Sequence, residues 1–311
     1  MRPKVLVTDY VHSNLIQGLE ERGYHVDYNR NILLDELPNS IGDYEGIIIN
    51  SKIKMFKPLL DLGKRLKFIG RLGSGLEIID LDYAASKGIK VINTPNGNNN
   101  AVAEHVMGML LALSNNLLRA DAEVRDFNWN REKNRGWELR GKTIGIIGFG
   151  HTGSQVAKKL KNWDVDVIGY DKYYTDWDPF YDYVEQVNQE DILKRADVIT
   201  LHLPLTNETQ QLVNETFLNS CKTGAVIINT SRGKIVDTKA LVDALKHKKI
   251  SGACLDVFEN EKPSTYTSEE KNTYNNLFQM SNVVVSPHIA GWTHESLLRI
   301  AEILLHKIDA I

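Results

Sequence analysis

The chain has 311 residues, of which 42% are hydrophobic and 25% charged, and its formal net charge at pH 7 is −3. These values exclude a disordered or fibrous protein, and the length suits two domains of about 100–200 residues each. No block of Lys and Arg is long enough to follow a phosphate backbone, so we expect no nucleic acid partner.

The N-terminal residues favour a first β-strand that ends near Asp9 over a secretory signal. The most apolar stretch, residues 106–113, is far shorter than the roughly 20 residues that a membrane-spanning helix needs. Neither cysteine, Cys221 nor Cys254, has a second Cys or His at ligand spacing. We therefore predict a cytoplasmic protein with two reduced thiols, no membrane contact and no metal site.

Short β-branched runs alternate with segments of helical periodicity in the first third of the chain. This pattern is typical of a parallel sheet covered by helices, and it predicts a complete doubly wound α/β domain. The predicted strands are residues 4–8, 25–28, 46–50, 67–71 and 90–93. The predicted helices are residues 13–22, 57–63 and 80–87.

A polar run at residues 94–100 interrupts this pattern, and we predict a hinge there. A long apolar helix is predicted to follow over residues 101–118, and then a second α/β domain. Its predicted strands are residues 143–148, 165–170, 198–202, 224–229, 252–255 and 283–286. Between the second and third of these, the aromatic residues 173–183 predict a long surface loop with its own small cluster. Residues 295–308 predict a helix with one apolar face, able to pack on the first domain.

The first strand of the second domain runs into a Gly-x-Gly-x-x-Gly motif that opens a helix. Gly148 permits a tight turn, Gly150 allows close approach of a pyrophosphate, and Gly153 lets the helix lie close to the strand. Asp171 ends the next strand, 23 positions after Gly148, where its carboxylate can accept from both ribose hydroxyls. We predict a dinucleotide site, with NAD favoured over NADP because Asp171 repels a 2′-phosphate.

Three later strand ends carry polar side chains that a simple core would not need: Arg232, Glu261 and His288. Ligands of open α/β sheets bind beyond such carboxyl edges. A single polar residue there is more often a cap or a surface group, but three of complementary chemistry favour a catalytic site.

Long phrases of the chain resemble the D-isomer-specific 2-hydroxyacid dehydrogenase family over nearly its whole length. They are residues 71–80 (RLGSGLEIID), 102–105 (VAEH), 202–206 (HLPLT), 230–233 (TSRG) and 287–291 (PHIAG). The resemblance implies a Rossmann NAD-binding domain at residues 99–291, inserted in a flavodoxin-like substrate domain at residues 1–98 and 292–311. It also implies closure of the two domains, flexing at residues 96–100 and 291–293.

The resemblance implies a role for each candidate. Arg232 would bind the substrate carboxylate and polarise the keto oxygen, because a guanidinium is a planar, always charged fork of donors. His288 would exchange a proton with the C2 oxygen, and the Glu261 carboxylate would stabilise its imidazolium form. Asp256 would accept from the nicotinamide carboxamide, or would only cap a turn. The other implied cofactor-binding residues are Gly148, Gly150, His151, Thr152, Gly153, Asp171, His202, Pro204, Thr209, Thr230, Ser231 and Gly291.

The substrate residues implied by the resemblance are Lys52, Ser74 and Gly75, the last two through backbone N–H groups. The likeness is greatest to members that act on 3-phosphoglycerate, in serine biosynthesis. However, Asn50 stands where those members often have Arg, so Lys52, Lys54, Arg71 or Arg131 would have to meet the phosphate. Glyoxylate, hydroxypyruvate or another 2-keto acid stays open as the substrate.

Two further expectations follow from the resemblance. Some relatives are NAD-sensing binding proteins that turn over little, so that class stands beside the enzyme. The long helix after residue 101 predicts a homodimer.

The sequence departs from the family where Lys262 separates Glu261 from Pro263. We predict a polar loop from there to residue 276.

Overall fold

The computed structural model describes residues 2–311, which fall into two compact units. One unit runs to Asn99 and takes up the chain again at Trp292–Ile311, and the other is Asn100–Gly291. Each unit is built around one parallel sheet, so the molecule is an α/β protein with two parallel sheets of five and seven strands, as the sequence predicts.

The sheet of the first unit has the strand order β2-β1-β3-β4-β5, which is the flavodoxin-like order. All of its pairs are parallel, and residues Val5, Gly46 and Phe68 lie in register across β1, β3 and β4. Its strands are β1 (Lys4–Val7), β2 (His25–Tyr28), β3 (Gly46–Ile49), β4 (Phe68–Arg71) and β5 (Lys90–Ile92). Its helices are α1 (Ser13–Glu21), α2 (Lys57–Leu62), α3 (Leu81–Ser86) and α11 (His294–Ile308).

Helices cover both faces of this sheet, which is why β3 is apolar at successive positions. Ile47 and Ile49 pack against α2 and α3 on one face, whereas Ile48 packs with α1 and α11 on the other. All three side chains are fully buried. The order of the strands changes direction between β1 and β3, and the carboxyl ends there are where such sheets bind ligands.

The second unit has the order β12-β11-β10-β9-β6-β7-β8, again all parallel. Its strands are β6 (Thr143–Ile147), β7 (Asp166–Tyr170), β8 (Val184–Gln186), β9 (Val198–Leu201), β10 (Ala225–Asn229), β11 (Ile250–Leu255) and β12 (Val283–Val285). Its helices are α4 (Pro95–Ser114, which begins in the first unit), α5 (Leu117–Arg125), α6 (His151–Leu160), α7 (Gln189–Arg195), α8 (Glu215–Ser220), α9 (Thr238–Lys246) and α10 (Ser268–Phe278). The direction changes between β6 and β9, as in a Rossmann sheet.

All of the polar run at residues 94–100 except Thr94 is part of a helix, so the predicted interruption is wrong. Helix α4 begins at Pro95, because proline has the φ of a helix and lacks only an N–H that the first turn leaves unused. The Gly97 N–H donates to the Thr94 carbonyl oxygen at 3.0 Å. The predicted single helix to residue 118 also ends early: Asn116 has a left-handed φ of +52°, and α5 starts a new direction there.

Two other elements were not expected. The segment predicted as a polar loop to residue 276 contains α10, which starts with a capping box between Thr267 and Glu270 and buries Tyr274 and Leu277. Strand β8 follows the aromatic residues and pairs with β7, too short and too polar to be recognised from periodicity. The tertiary environment decides both elements.

Between residues 2 and 311, no single helix combines the length and apolar character needed to cross a membrane. Helices α4 and α5 pass that test only when counted together across a 62° bend. The second unit buries a large part of α4, including Ala103, Val106 and Leu110.

Candidate active site

The three motif glycines lie in the turn from β6 into α6 and have different structural roles. A Cβ on Gly148, whose φ is +93°, would lie 2.3 Å from the His202 carbonyl oxygen, and one on Gly153 would lie 2.0 Å from the Gly148 carbonyl oxygen. A Cβ on Gly150 would meet no protein atom within 4 Å. Gly148 therefore lets the turn lie close to the segment after β9, and Gly153 lets α6 pack onto the end of β6. Gly150 faces open space, which fits a loop that receives a phosphate group.

Asp171 follows β7 and is fixed beside this loop by backbone donors. Its Oδ2 accepts from the Phe149 N–H at 2.8 Å, and its Oδ1 accepts from the N–H groups of Tyr173 and Tyr174, both at 2.9 Å. Because a carboxylate can accept about four hydrogen bonds, this arrangement orients Asp171 and leaves it capacity for a ligand hydroxyl.

The aromatic residues after Asp171 do form a cluster, and it includes Phe149 of the glycine loop. Phe149 is almost fully buried, stacks on Trp177 with ring centroids 3.8 Å apart, and meets Tyr181 edge to face at 5.3 Å. The surface loop therefore packs against Phe149 of the glycine loop, a contact that the sequence did not predict.

The loops after β9 and β10 carry five more of the predicted cofactor residues. Thr209 donates from Oγ1 to the Pro204 carbonyl oxygen at 2.7 Å and so closes the first loop. His202 shares a 2.9 Å hydrogen bond with the Thr200 hydroxyl, and desolvation lowers the pKa of its imidazole to about 3, although the residue as a whole is only half-buried.

In the second loop, the Thr230 hydroxyl is buried and has no partner in the described residues. Such a group costs free energy unless a ligand pairs with it, so it fits a bound polar group. Ser231 donates from both its N–H and its hydroxyl to Asn229 Oδ1, at 3.0 and 2.8 Å. The fully buried Asn229 in turn donates from Nδ2 to the Arg232 carbonyl oxygen at 2.9 Å. Asn229 was not singled out in the sequence, although a polar residue ending a buried strand is a usable signal.

Arg232 is half-buried, and its Nη1 donates to the Ser231 carbonyl oxygen at 2.7 Å. Gly233, the residue after Arg232, explains where Arg232 lies, because a Cβ on Gly233 would be 1.9 Å from the Phe258 carbonyl carbon. Only glycine lets the loop after β10 lie this close to the segment after β11, which carries Glu261. Gly233 is a second residue that sequence reasoning missed.

His288 and Glu261 form a hydrogen-bonded pair. His288 Nδ1 lies 2.8 Å from Glu261 Oε2, and the two side chains are 49% and 40% exposed. Burial would raise the pKa of Glu261, but the hydrogen bond and charge of His288, the Phe258 N–H and the Arg232 charge outweigh it and hold that pKa below its ordinary value. The structure thus joins two of the three predicted catalytic side chains, and places the third, Arg232, close enough to act electrostatically on Glu261.

Asp256 organises the segment that presents His288. Its fully buried carboxylate accepts from the Ile289 N–H at 2.9 Å and the Ala290 N–H at 2.8 Å, and its carbonyl oxygen accepts from the His288 N–H at 2.7 Å. Ser286 donates to the same carboxylate at 2.5 Å. The turn-capping role considered for Asp256 is therefore realised.

Ser286 also lies 2.9 Å from Nε2 of His105, whose ring is 3.6 Å from the Asp256 carboxylate. Neither His105 nor Ser286 was singled out in the sequence. Only the fold reveals their role, since 181 positions separate them along the chain.

The predicted substrate residues lie at the carboxyl edge of the first unit's sheet. The Ser74 carbonyl oxygen accepts from Asn93 Nδ2 at 2.9 Å, just after Gly73, whose φ is +133°. Gly75, like Ser74, lies in the loop that this bond holds. Lys52 is exposed and donates to the Arg30 carbonyl oxygen.

The remaining predicted positions lie where their motifs place them. His151 is exposed and Thr152 half-buried in the first turn of α6, and Gly291 directly follows the segment held by Asp256. Within the described residues, no group of three or more His, Cys, Asp or Glu side chains could hold a metal ion.

Residues 107–290 match the family model described as "D-isomer specific 2-hydroxyacid dehydrogenase, NAD binding domain". The chain is 36% identical over 305 residues to D-3-phosphoglycerate dehydrogenase of Archaeoglobus fulgidus, covering 98% of this chain and 56% of that protein. It is 38% identical over 275 residues to hydroxypyruvate reductase of Thermotoga maritima, covering 88% and 87%. The chain thus spans about half the length of the phosphoglycerate dehydrogenases that it matches.

Two solved structures of similar fold are a dehydrogenase and a reductase, each in complex with a nicotinamide cofactor. A D-lactate dehydrogenase from Aquifex aeolicus, complexed with NAD and lactic acid, superimposes with a TM-score of 0.86 at 32% identity and covers 98% of this chain and 94% of that one. An acyclic imino acid reductase in complex with NADPH and D-Arg also has a TM-score of 0.86, at 29% identity, with 99% and 96% covered.

Proposed function

Because the chain belongs to the D-isomer specific 2-hydroxyacid dehydrogenase family, we propose that it transfers a hydride reversibly between NAD(H) and a small D-2-hydroxy or 2-keto acid. The observation that carries this proposal is the 2.8 Å pair of His288 and Glu261 in the same unit as the glycine loop. An acid/base pair, a guanidinium and a phosphate cradle on one sheet are what such a reaction needs.

The hydrogen bond to Glu261 supports different roles for the two nitrogens of His288. With Nδ1 donating to the carboxylate, Nε2 is the nitrogen that exchanges a proton with the substrate's C2 oxygen. Glu261 stabilises the imidazolium that protonates the oxygen during reduction. Arg232 binds the substrate carboxylate as a bidentate donor and polarises the C2 oxygen.

The nicotinamide of the bound cofactor supplies or accepts the hydride. On the protein side, Gly150 would face the pyrophosphate, the Asp171 carboxylate would accept from the ribose hydroxyls, and Thr230 would pair its buried hydroxyl with the bound dinucleotide. The charge of Asp171 favours NAD over NADP.

For the substrate we propose 3-phosphoglycerate first and hydroxypyruvate second. The phosphoglycerate dehydrogenases match almost the whole chain, and Lys52 and Arg71 supply cations at the carboxyl edge of the first sheet. Hydroxypyruvate is favoured by one observation: Arg71 donates to Asn50 Oδ1 at 3.0 Å, so part of its donor capacity is already used.

We also propose a homodimer that forms through α4, α5 and the segment after them. Helix α5 has no buried residue, and five large apolar side chains between residues 117 and 129 are exposed. Phe127 is 98% exposed and Trp129 77%. An apolar surface of this extent favours a protein partner, and a second copy has the same surface to offer.

The cysteines support our proposal that the chain works in the reducing cytoplasm. Cys221 and Cys254 are both buried and unpaired, and burial raises the pKa of the Cys221 thiol to about 12. A thiol with so high a pKa is not a nucleophile at neutral pH.

The test is to follow NADH absorbance with phosphohydroxypyruvate, hydroxypyruvate, glyoxylate and pyruvate in turn. We expect oxidation with at least one, and the first should have the highest kcat/KM. His288→Gln should lower kcat by about 1000-fold while NADH binding stays within about twofold, because the side chain moves a proton and does not hold the cofactor.

His247→Gln is the matched control, since His247 is an exposed histidine at the end of α9. It should leave kcat unchanged. Binding of NADH without oxidation by any 2-keto acid would contradict the enzyme and leave an NAD-sensing binding protein. Near-normal turnover in His288→Gln would remove that residue from catalysis.

A further inference from the structure

Two loops of the second unit are joined by a small polar clasp, formed by Lys172, Tyr173 and Glu208. The ammonium of Lys172 lies 2.6 Å from Glu208 Oε2, and the Tyr173 hydroxyl donates to the same oxygen at 2.7 Å. The Lys172 ammonium also lies 5.2 Å from the centre of the Tyr173 ring. Of the three, only Tyr173 belongs to a predicted feature, the aromatic loop at residues 173–183.

The position of the clasp follows from the sheet order. Lys172 and Tyr173 follow β7 and Glu208 follows β9, and these two strands are the two neighbours of β6. The clasp therefore connects the loops on either side of the glycine loop. It also lies next to two predicted cofactor residues in the chain, Asp171 on one side and Thr209 on the other.

The clasp determines which charge is available beside Asp171. An NADP site needs a cation to pair with the 2′-phosphate, and Lys172, adjacent to Asp171, is a candidate for it. In this structure the ammonium is already paired with a carboxylate, and the Tyr173 hydroxyl holds that carboxylate in place. Freeing Lys172 would cost its charge-assisted hydrogen bond to Glu208 and leave two carboxylates, Asp171 and Glu208, near a phosphate.

We propose that Glu208 is a specificity-determining residue that excludes NADP by holding the ammonium of Lys172. This inference rests on the proposed function, since it requires that the Asp171 end of the site receives the adenosine ribose. A surface ion pair of this exposure, with side chains 55% and 57% exposed, contributes little to folding stability, so Glu208→Gln should fold normally and its nucleotide binding can be measured directly.

The experiment measures the dissociation constants of NADH and NADPH for the purified chain by isothermal titration at low ionic strength. Glu208→Gln should lower the ratio Kd(NADPH)/Kd(NADH) about tenfold, with Kd(NADH) changed less than about twofold, because it frees Lys172 and removes one negative charge. Adding Lys172→Met to Glu208→Gln should return the ratio most of the way to the wild-type value. A purely structural role of the clasp would not produce this reversal.

Glu190→Gln is the matched control, because Glu190 pairs with Lys194 at the same 2.6 Å on the exposed face of α7. It should leave the ratio unchanged. The inference is overturned if Glu208→Gln leaves the ratio within twofold of wild type, or if the lowered ratio survives Lys172→Met. Binding of neither nucleotide to the wild-type chain would overturn the proposed function and this inference with it, whereas the first two results would leave the proposed function standing.

Discussion

At the scale of single residues, the site depends on a few side chains whose surroundings are set by distant parts of the chain. His288 has a left-handed φ of +57°, a conformation that costs a non-glycine residue about 1–2 kcal/mol. The three hydrogen bonds from residues 288–290 to Asp256 hold it there. Local strain at His288 is thus supported by a buried carboxylate 32 positions earlier in the chain.

His202 leads to a prediction about pH and stability. Its imidazole takes up a proton below pH 6.5 in the unfolded chain, but only near pH 3 in the folded protein. Protonation therefore favours the unfolded state, and the loss of stability begins as the pH falls through 6.5 and grows toward pH 3. Between pH 7.5 and 5.5, this residue should lower the free energy of unfolding by about 1.4 kcal/mol.

Urea unfolding at the two pH values checks this expectation. His202→Gln should remove about 1.4 kcal/mol of the difference between them, whatever its effect on absolute stability. His247→Gln, which alters an exposed histidine, should keep the wild-type difference. An unchanged difference in His202→Gln would show that the ring titrates normally in the folded protein.

At the scale of elements, the glycines in the turn from β6 into α6 have two different roles: two are needed for the fold and one leaves space for a ligand. Two of its glycines lie against backbone atoms, and the third lies against open space. Gly150 has an extended backbone, with φ of −80° and ψ of −151°, so it does not need the left-handed conformation that favours glycine. The same motif therefore contains positions where a methyl group disturbs the protein and one where it would disturb only a ligand.

Gly150→Ala and Gly153→Ala form a matched pair of variants. Gly150→Ala should leave the Tm within about 1 °C and raise Kd(NADH) by tenfold or more, because its Cβ meets no protein atom and narrows the space for the pyrophosphate. Gly153→Ala should lower stability by about 2 kcal/mol or more, because its Cβ would lie 2.0 Å from a carbonyl oxygen.

Thermal melts and NADH titrations distinguish the two effects. Unchanged NADH affinity in Gly150→Ala would mean that the dinucleotide does not approach this loop. A fully stable Gly153→Ala would mean that α6 can move away from β6 at no cost.

At the scale of the whole molecule, the exposed apolar surface of α5 and the segment after it is the feature that a single chain leaves unexplained. Helix α5 has no buried residue, so the chain itself does not account for its apolar side. A dimer would bury these side chains and contribute about 25 cal/mol for each Å² of apolar surface removed from water.

Leu118→Asp tests the dimer. Leu118 is 59% exposed in the first turn of α5, where an acidic residue suits the helix dipole, so the monomer should fold normally. We expect wild type to sediment as a dimer at about 10 µM and the variant as a monomer, because a carboxylate cannot be buried unpaired in an apolar interface. Leu33→Asp is the control, since Leu33 is equally exposed, at 59%, in the other unit. A monomeric wild type would contradict the proposed dimer.

The sequence by itself determined the features that depend on local patterns, namely apolar periodicity and the spacing of motif residues. The periods of apolar residues and the order of strands and helices predict the α/β class. The glycine spacing with Asp171, and the polar residues at three strand ends, mark the site. Most strand boundaries lie within one or two residues of their predicted positions, because strand ends coincide with local changes in polarity.

Only the tertiary structure decided the features that depend on contacts between distant residues. The polar residues 95–100 are helical although their composition favours a turn, and α10 forms because Tyr274 and Leu277 find a core. The Asp256 carboxylate accepts hydrogen bonds from the segment that carries His288. Gly233 lets the loop after β10 lie close to the segment after β11, and Lys172 pairs with Glu208, 36 positions later in the chain. Composition and spacing cannot show these pairings, because chain folding alone brings their partners together.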